Sequence, residues 1–145
     1  MITLITGPIH SGKTTRLISE YTRCKNGDGF ASPKLIENDV VKGFDLLRLS
    51  SGQIIPLVRR KDFTTKDWRQ CCSYGPYSFS EDAVNNVNEA VDEMLKREDI
   101  TIFLDEIGSL ELADRCFNET VLKIRNAGVD AVFTVRDTNL QDVLN

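Results

Sequence analysis

The sequence holds a single histidine, His10, and only four cysteines in 145 residues. None of the cysteines forms a Cys-x-x-Cys pair, and the adjacent Cys71-Cys72 is too strained a spacing for a disulfide between the two. One imidazole and scattered thiols are too few ligands for a structural zinc site. No run approaches the ~18 apolar residues of a membrane-spanning helix. The start, Met1-Ile2-Thr3-Leu4, has neither a basic region nor a small-residue cleavage site, so no signal peptide is expected. Four free thiols without such a leader fit a cytoplasmic protein. Positive charge is also scarce: 18 Lys and Arg against 22 Asp and Glu leave a net charge of −4. That balance argues against a broad nucleic-acid surface or an anionic membrane as partner. Any bound polyanion must be held by a local device.

What is present is ordinary for a folded chain: 41% hydrophobic and 28% charged residues. We expect one domain spanning residues 1–145, since a chain of this size buries roughly 68–70% of its unfolded surface without staples. Ile2–Thr6 reads as a buried strand, and a helical pattern follows from Lys13 to near Gly27. Phe30–Ile36, Gly43–Leu49 and Gln53–Val58 read as strands in antiparallel arrangement, and Lys61–Tyr74 as a polar loop. Ser80 is placed to cap a long amphipathic helix through Leu95, with Glu81 and Asp82 in its first turn. Ile100–Leu104 and Val129–Val135 read as further buried strands, separated by a helix over Ala113–Arg125 that Gly128 closes. This order predicts an α/β sheet with parallel strands at its centre and a smaller antiparallel β insertion.

Gly7-Pro8-Ile9-His10-Ser11-Gly12-Lys13-Thr14 matches G-x-x-x-x-G-K-[ST] at every fixed position, between a strand and a helix. Two glycines let the backbone fold around an anion, with the loop amides and the helix N-terminus aimed at phosphate oxygens. The pattern assigns Gly7 through Thr15 to a nucleoside triphosphate. Lys13 is assigned to the β- and γ-phosphates and Thr14 to Mg²⁺. His10 is expected to contribute its amide rather than its ring.

Thr101-Ile102-Phe103-Leu104-Asp105-Glu106 is an apolar strand that ends in two acids. Asp105 fits the strand-end carboxylate that serves Mg²⁺ and pairs with the loop hydroxyl. Glu106 fits a base that orients a water toward the γ-phosphate. Successive strand residues face opposite sides, so the strand must end near Asp105 for both acids to serve one site. If Val129–Val135 lies beside the first strand, Thr134 can reach water or phosphate, and Arg136 can either stabilise transition-state charge or form a surface ion pair with Asp137 or Asp142. Arg59-Arg60-Lys61 reads as a solvated basic loop, and Trp68 as a packing residue.

These residues resemble the small P-loop nucleoside-triphosphatases known from thermophiles and as a cancer-related enzyme. The resemblance runs over nearly the whole chain. It rests on Thr6–Thr15, the paired starts Gly29-Phe30 and Gly43-Phe44, Gly75-Pro76-Tyr77, and above all Leu104-Asp105-Glu106-Ile107-Gly108 followed by Glu111-Leu112. It implies a RecA-like, mostly parallel sheet flanked by helices, and slow Mg²⁺-dependent hydrolysis of ATP, GTP and other triphosphates. It also implies Lys13 on phosphate, Thr14 and Asp105 on metal, and Glu106 on water. Ile9-His10-Ser11 and Ser109-Leu110 depart from the family's usual residues at those places. Two other activities fit a phosphate loop: a small nucleoside or nucleotide kinase, though no Arg-rich lid is evident, and a nucleotide-gated binding module with little turnover.

Overall fold

The computed structural model describes residues 1–8, 12–105 and 117–136. Among them, nine strands form one sheet: β1 (Ile2–Gly7), β2 (Gly27–Ala31), β3 (Lys34–Glu37), β4 (Val40–Arg48), β5 (Ile54–Arg60), β6 (Gln70–Tyr74), β7 (Tyr77–Ser80), β8 (Thr101–Leu104) and β9 (Asp130–Arg136). Three α-helices accompany them, α1 (Lys13–Arg23), α2 (Glu81–Met94) and α3 (Asn118–Ala127), with a short 3-10 turn at Lys61–Phe63. The spatial order is β1-β9-β8-β2-β4-β5-β7-β6, with β3 paired to β4 off that path.

The α/β class is as expected from the pattern. β1, β9, β8 and β2 run parallel to their neighbours, and from β2 outward every ladder is antiparallel. The antiparallel strands therefore extend the same sheet through β2, which pairs with β8 on one edge and β4 on the other.

The expectation of parallel strands at the centre is corrected: among the described residues they form one side of the sheet, from β1 at its end to β2. β8 shows what that side buries. Its apolar run has something to bury on both faces, as parallel strands require. Ile102 and Leu104 join the core under α2 and α3, with Val84, Val87, Val91 and Ile124. Phe103 points the other way into the core with Ile5 and Leu17, where the Tyr21 ring of α1 meets it edge-on at 5.6 Å. Each such fully buried side chain contributes about 1.5–3 kcal/mol. One helix thus covers one face and two the other. Ser80 caps α2 as read from the sequence, its hydroxyl accepting from the Ala83 amide at 3.2 Å. Gly128 closes α3 in the left-handed conformation.

Several local expectations are corrected. The strand expected over Phe30–Ile36 is two, β2 and β3, separated by Ser32-Pro33. Pro33 has no N–H to give a ladder. The expected loop from Lys61 to Tyr74 contains β6, paired with β7. An edge strand keeps one side open and can be polar, which hid it. Arg59 and Arg60 end β5 rather than lying in a loop. Arg59 is half-buried, donating to Asp45 Oδ1 at 2.6 Å and to the Phe44 carbonyl at 3.0 Å. Trp68 donates its indole N–H to Ser78 Oγ at 2.8 Å. Cys72 packs against the core and is disulfide-bonded, whereas Cys71 is an exposed free thiol. The β6–β7 register shifts between Gln70 and Cys72 and leaves Cys71 out of the pairing, so the two do not share a fate. The expectation of free thiols is corrected at Cys72.

Candidate active site

The C-terminal ends of β1, β9, β8 and β2 lie along one edge of the sheet, where ligands of open α/β folds bind. β1 delivers Gly7-Pro8 to that edge and α1 starts from it at Lys13. Gly12 precedes the helix at φ 82°, ψ 21°, a left-handed conformation that a side chain would strain. This turn brings Lys13 inward. The residue is 6% exposed, and its ammonium donates to the carbonyls of Gly7 at 3.2 Å and Pro8 at 2.9 Å. Thr15, one step beyond Thr14, is exposed.

Asp105 is the meeting point of four elements. Thr14 Oγ1, from the first turn of α1, donates to its Oδ2 at 2.7 Å. The Ser32 amide, just past β2, donates to the same oxygen at 2.9 Å. Thr134 Oγ1, from β9, donates to Oδ1. Strand register accounts for the convergence: Leu104 pairs with Phe133 and with Phe30, so one further step sets Asp105 beside Thr134 and the end of β2. The Asp105 amide itself donates to the Phe30 carbonyl at 3.2 Å, which fixes the acid's backbone.

The structure thus brings together Gly7, Pro8, Gly12, Lys13, Thr14 and Asp105. Ile9, His10, Ser11, Glu106 and Glu111 lie outside the described residues, as does the side chain of Arg136. The Arg136 backbone pairs with Gly7, at the mouth of the loop. Ser32 was not anticipated. It acts through its backbone amide, for which no side-chain pattern exists; only the parallel pairing of β2 with β8 reveals it. Thr134 donates to the acid, a contact the sequence does not announce.

The donor set suits a magnesium ion that arrives with its nucleotide. Among the described residues no three His, Cys, Asp or Glu side chains cluster as a metal cage. What is there is one carboxylate and one hydroxyl, both hard oxygens. Mg²⁺ is ordinarily held by one or two carboxylates with substrate phosphates and water.

A buried carboxylate, Asp28, stands apart from this edge. Asp28 on β2 accepts from Arg48 Nε and Nη2, from the Gly29 amide at 2.7 Å and from the Ser50 amide at 3.3 Å. Burial alone would raise its pKa. The hydrogen bonds and the charge of Arg48 outweigh burial and hold the carboxyl below its ordinary value. Its partners are satisfied, and its role is to join β2 to β4.

A strand, a glycine-bounded turn, a buried lysine opening a helix, and a strand-end aspartate bonded to the next threonine define a P-loop nucleotide-binding protein. The family model described as NTPase matches residues 2–145, and the chain belongs to that family. It is a nucleoside-triphosphatase, an enzyme whose substrate is a nucleoside triphosphate. The nucleoside-triphosphatase THEP1 of Thermotoga sp. (strain RQ2) is 32% identical over 142 residues, covering 94% of this chain and 74% of that one. THEP1 of Natranaerobius thermophilus is 29% identical over 135 residues, covering 91% and 73%. The crystal structure of THEP1 from Aquifex aeolicus superposes with a TM-score of 0.67 at 25% identity, covering 94% of this chain and 77% of that one. The solution structure of a human cancer-related nucleoside triphosphatase gives 0.66 at 24% identity, covering 92% and 75%, and shares the fold. No helix among the described residues is long and apolar enough to cross a membrane.

Proposed function

We propose that the enzyme cleaves the terminal phosphate of ATP, GTP and other nucleoside triphosphates slowly, in a Mg²⁺-dependent reaction, giving the diphosphate and inorganic phosphate. The observation that carries this reading is the 2.7 Å bond from Thr14 Oγ1 to Asp105 Oδ2, which couples the loop's metal-side hydroxyl to the strand-end acid. In this reading the phosphates are bound by the segment Gly7, Pro8, Ile9, His10, Ser11, Gly12, Lys13, Thr14 and Thr15, through its backbone N–H groups; Pro8, which has none, donates nothing. Lys13 exchanges its two carbonyl partners for phosphate oxygens. Thr14 and Asp105 hold Mg²⁺, which supplies charge neutralisation at the phosphates when bound. Glu106 orients and deprotonates the attacking water. Arg136, ending the strand that pairs with Gly7, offers positive charge to the transition state.

The test is phosphate release from ATP, GTP, CTP and UTP, each with excess Mg²⁺ and with EDTA. Release that depends on the cation and needs no acceptor is expected. Transfer of phosphate to an added nucleoside or nucleoside monophosphate would replace hydrolysis by the kinase reading. Tight triphosphate binding with no release would replace it by a binding module.

A further inference from the structure

We infer that Thr134 is a positioning residue for the metal-side acid: its hydroxyl pins Asp105 by Oδ1, so that Oδ2 is held ready for Thr14. The inference rests on the reading that Thr14 and Asp105 act together on a divalent cation. It gives β9 a part in that pairing.

Thr134 is fully buried on β9, between β1 and β8. A β-branched side chain has a restricted χ1, so the backbone of a central strand aims its hydroxyl. A carboxylate is the reverse case. Its terminal torsion is broad, and a carboxylate held at one oxygen swivels. In Asp105 both donors from outside β9, the Thr14 hydroxyl and the Ser32 amide, sit on Oδ2. Thr134 supplies a donor on Oδ1. With a donor at each end, the plane of the carboxylate is set.

The consequence falls on Thr14. A hydroxyl has one proton and two lone pairs. While Asp105 takes that proton, the lone pairs of Thr14 remain for a cation. Thr134 therefore acts on the cation through two other side chains and touches neither it nor a phosphate. Groups that orient metal ligands from behind typically change metal affinity by about 10–100-fold when removed.

The experiment measures binding rather than turnover. A fluorescent, non-hydrolysable triphosphate analogue is titrated into wild type and into Thr134→Ser, Thr134→Val and Thr134→Ala, first in EDTA and then with Mn²⁺. In EDTA all four should bind within about twofold of one another, which also reports that each is folded. Addition of Mn²⁺ should tighten binding in wild type and Thr134→Ser. In Thr134→Val and Thr134→Ala that gain should shrink by about 10–100-fold. A full gain in either variant that lacks the hydroxyl overturns the inference. So does a serine variant that tracks valine. Loss of metal-free binding in both valine and alanine variants assigns the hydroxyl to folding and overturns it as well. A wild type that gains nothing from Mn²⁺ overturns the cation reading itself, an outcome distinct from the others.

Discussion

Arg48 grips Asp28 through three hydrogen bonds of 2.6, 3.0 and 3.1 Å, with the carboxylate side chain 3% exposed. The pair ties the parallel half of the sheet to the antiparallel half. Because the folded-state pKa of Asp28 is lowered, its contribution is complete above the unfolded-state value and is lost as pH falls through the folded one. Stability should therefore decline on acidification below about pH 4. Asp28→Asn has no carboxyl to titrate and should flatten that decline. At neutral pH it should cost about 2–3 kcal/mol, less than a fully buried pair, because Arg48 keeps 27% of its side chain in solvent. Urea midpoints from pH 7 to pH 3 check both parts.

Gly29 admits no side chain. A Cβ built on it would lie 1.9 Å from the Phe103 carbonyl oxygen, at a φ of 150°. Gly43 meets the Val58 oxygen at the same distance, which gives the paired Gly-Phe starts a common steric cause. Gly29→Ala should destabilise by at least about 3 kcal/mol, since backbone must move to admit it. Gly52 has a φ of 76° but open space around it. Gly52→Ala should cost only about 1–2 kcal/mol, the strain of the left-handed conformation. Denaturant unfolding of the two variants separates collision from conformation.

Lys13→Ala should weaken triphosphate binding and turnover together. In the proposed reading the ammonium serves the bound phosphates before and during the reaction, so its loss does not select one state. A charge-assisted bond of about 1.5–3 kcal/mol corresponds to roughly 10–100-fold in affinity. Calorimetric titration with a non-hydrolysable analogue is the direct measurement, and unchanged affinity would remove Lys13 from the phosphate site.

Glu106→Gln and Asp105→Asn should part ways. The first keeps the shape of a water-orienting residue and loses its proton acceptor, so binding of the magnesium nucleotide should survive. Hydrolysis should fall by about 10²–10⁴. The second should blunt the dependence on Mg²⁺ as well as the rate. A Glu106→Gln enzyme with wild-type turnover would show that the water is activated elsewhere.

Much of this edge of the sheet could be read in advance because its signals are local. Gly12, Lys13 and Thr14 announce a turn and a helix start within three residues, and Thr101–Leu104 announces a buried strand with Asp105 at its end. Pairing across the sheet leaves no such local mark. β2 looks antiparallel by company, since β3 to β5 follow it, yet one edge runs parallel to β8, 74 residues away at Gly27↔Thr101. From that pairing come the Ser32 amide on Asp105 and the inward place of Asp28. β6 was hidden for a different reason. Gln70-Cys71-Cys72-Ser73 alternates too weakly to declare a strand until β7 is beside it. Thr134 was noticed for its position, but its partner depends on which strand stands next to β9.

Because β2 is bonded on both edges, no linker separates the strands that end at Gly7 and Asp105 from the rest of the described sheet. Two neighbouring residues complete the connection. The Pro33 carbonyl accepts from the Asp45 amide of β4 at 2.9 Å, and the Ser32 amide donates to Asp105 Oδ2 at 2.9 Å. A tilt of β4 thus reaches a carboxylate oxygen through a stretch of chain too short, and with proline too stiff, to absorb it. The sheet behaves as one plate, and slack introduced at its far side should first be felt as poorer aim of a single acid, before any strand comes loose.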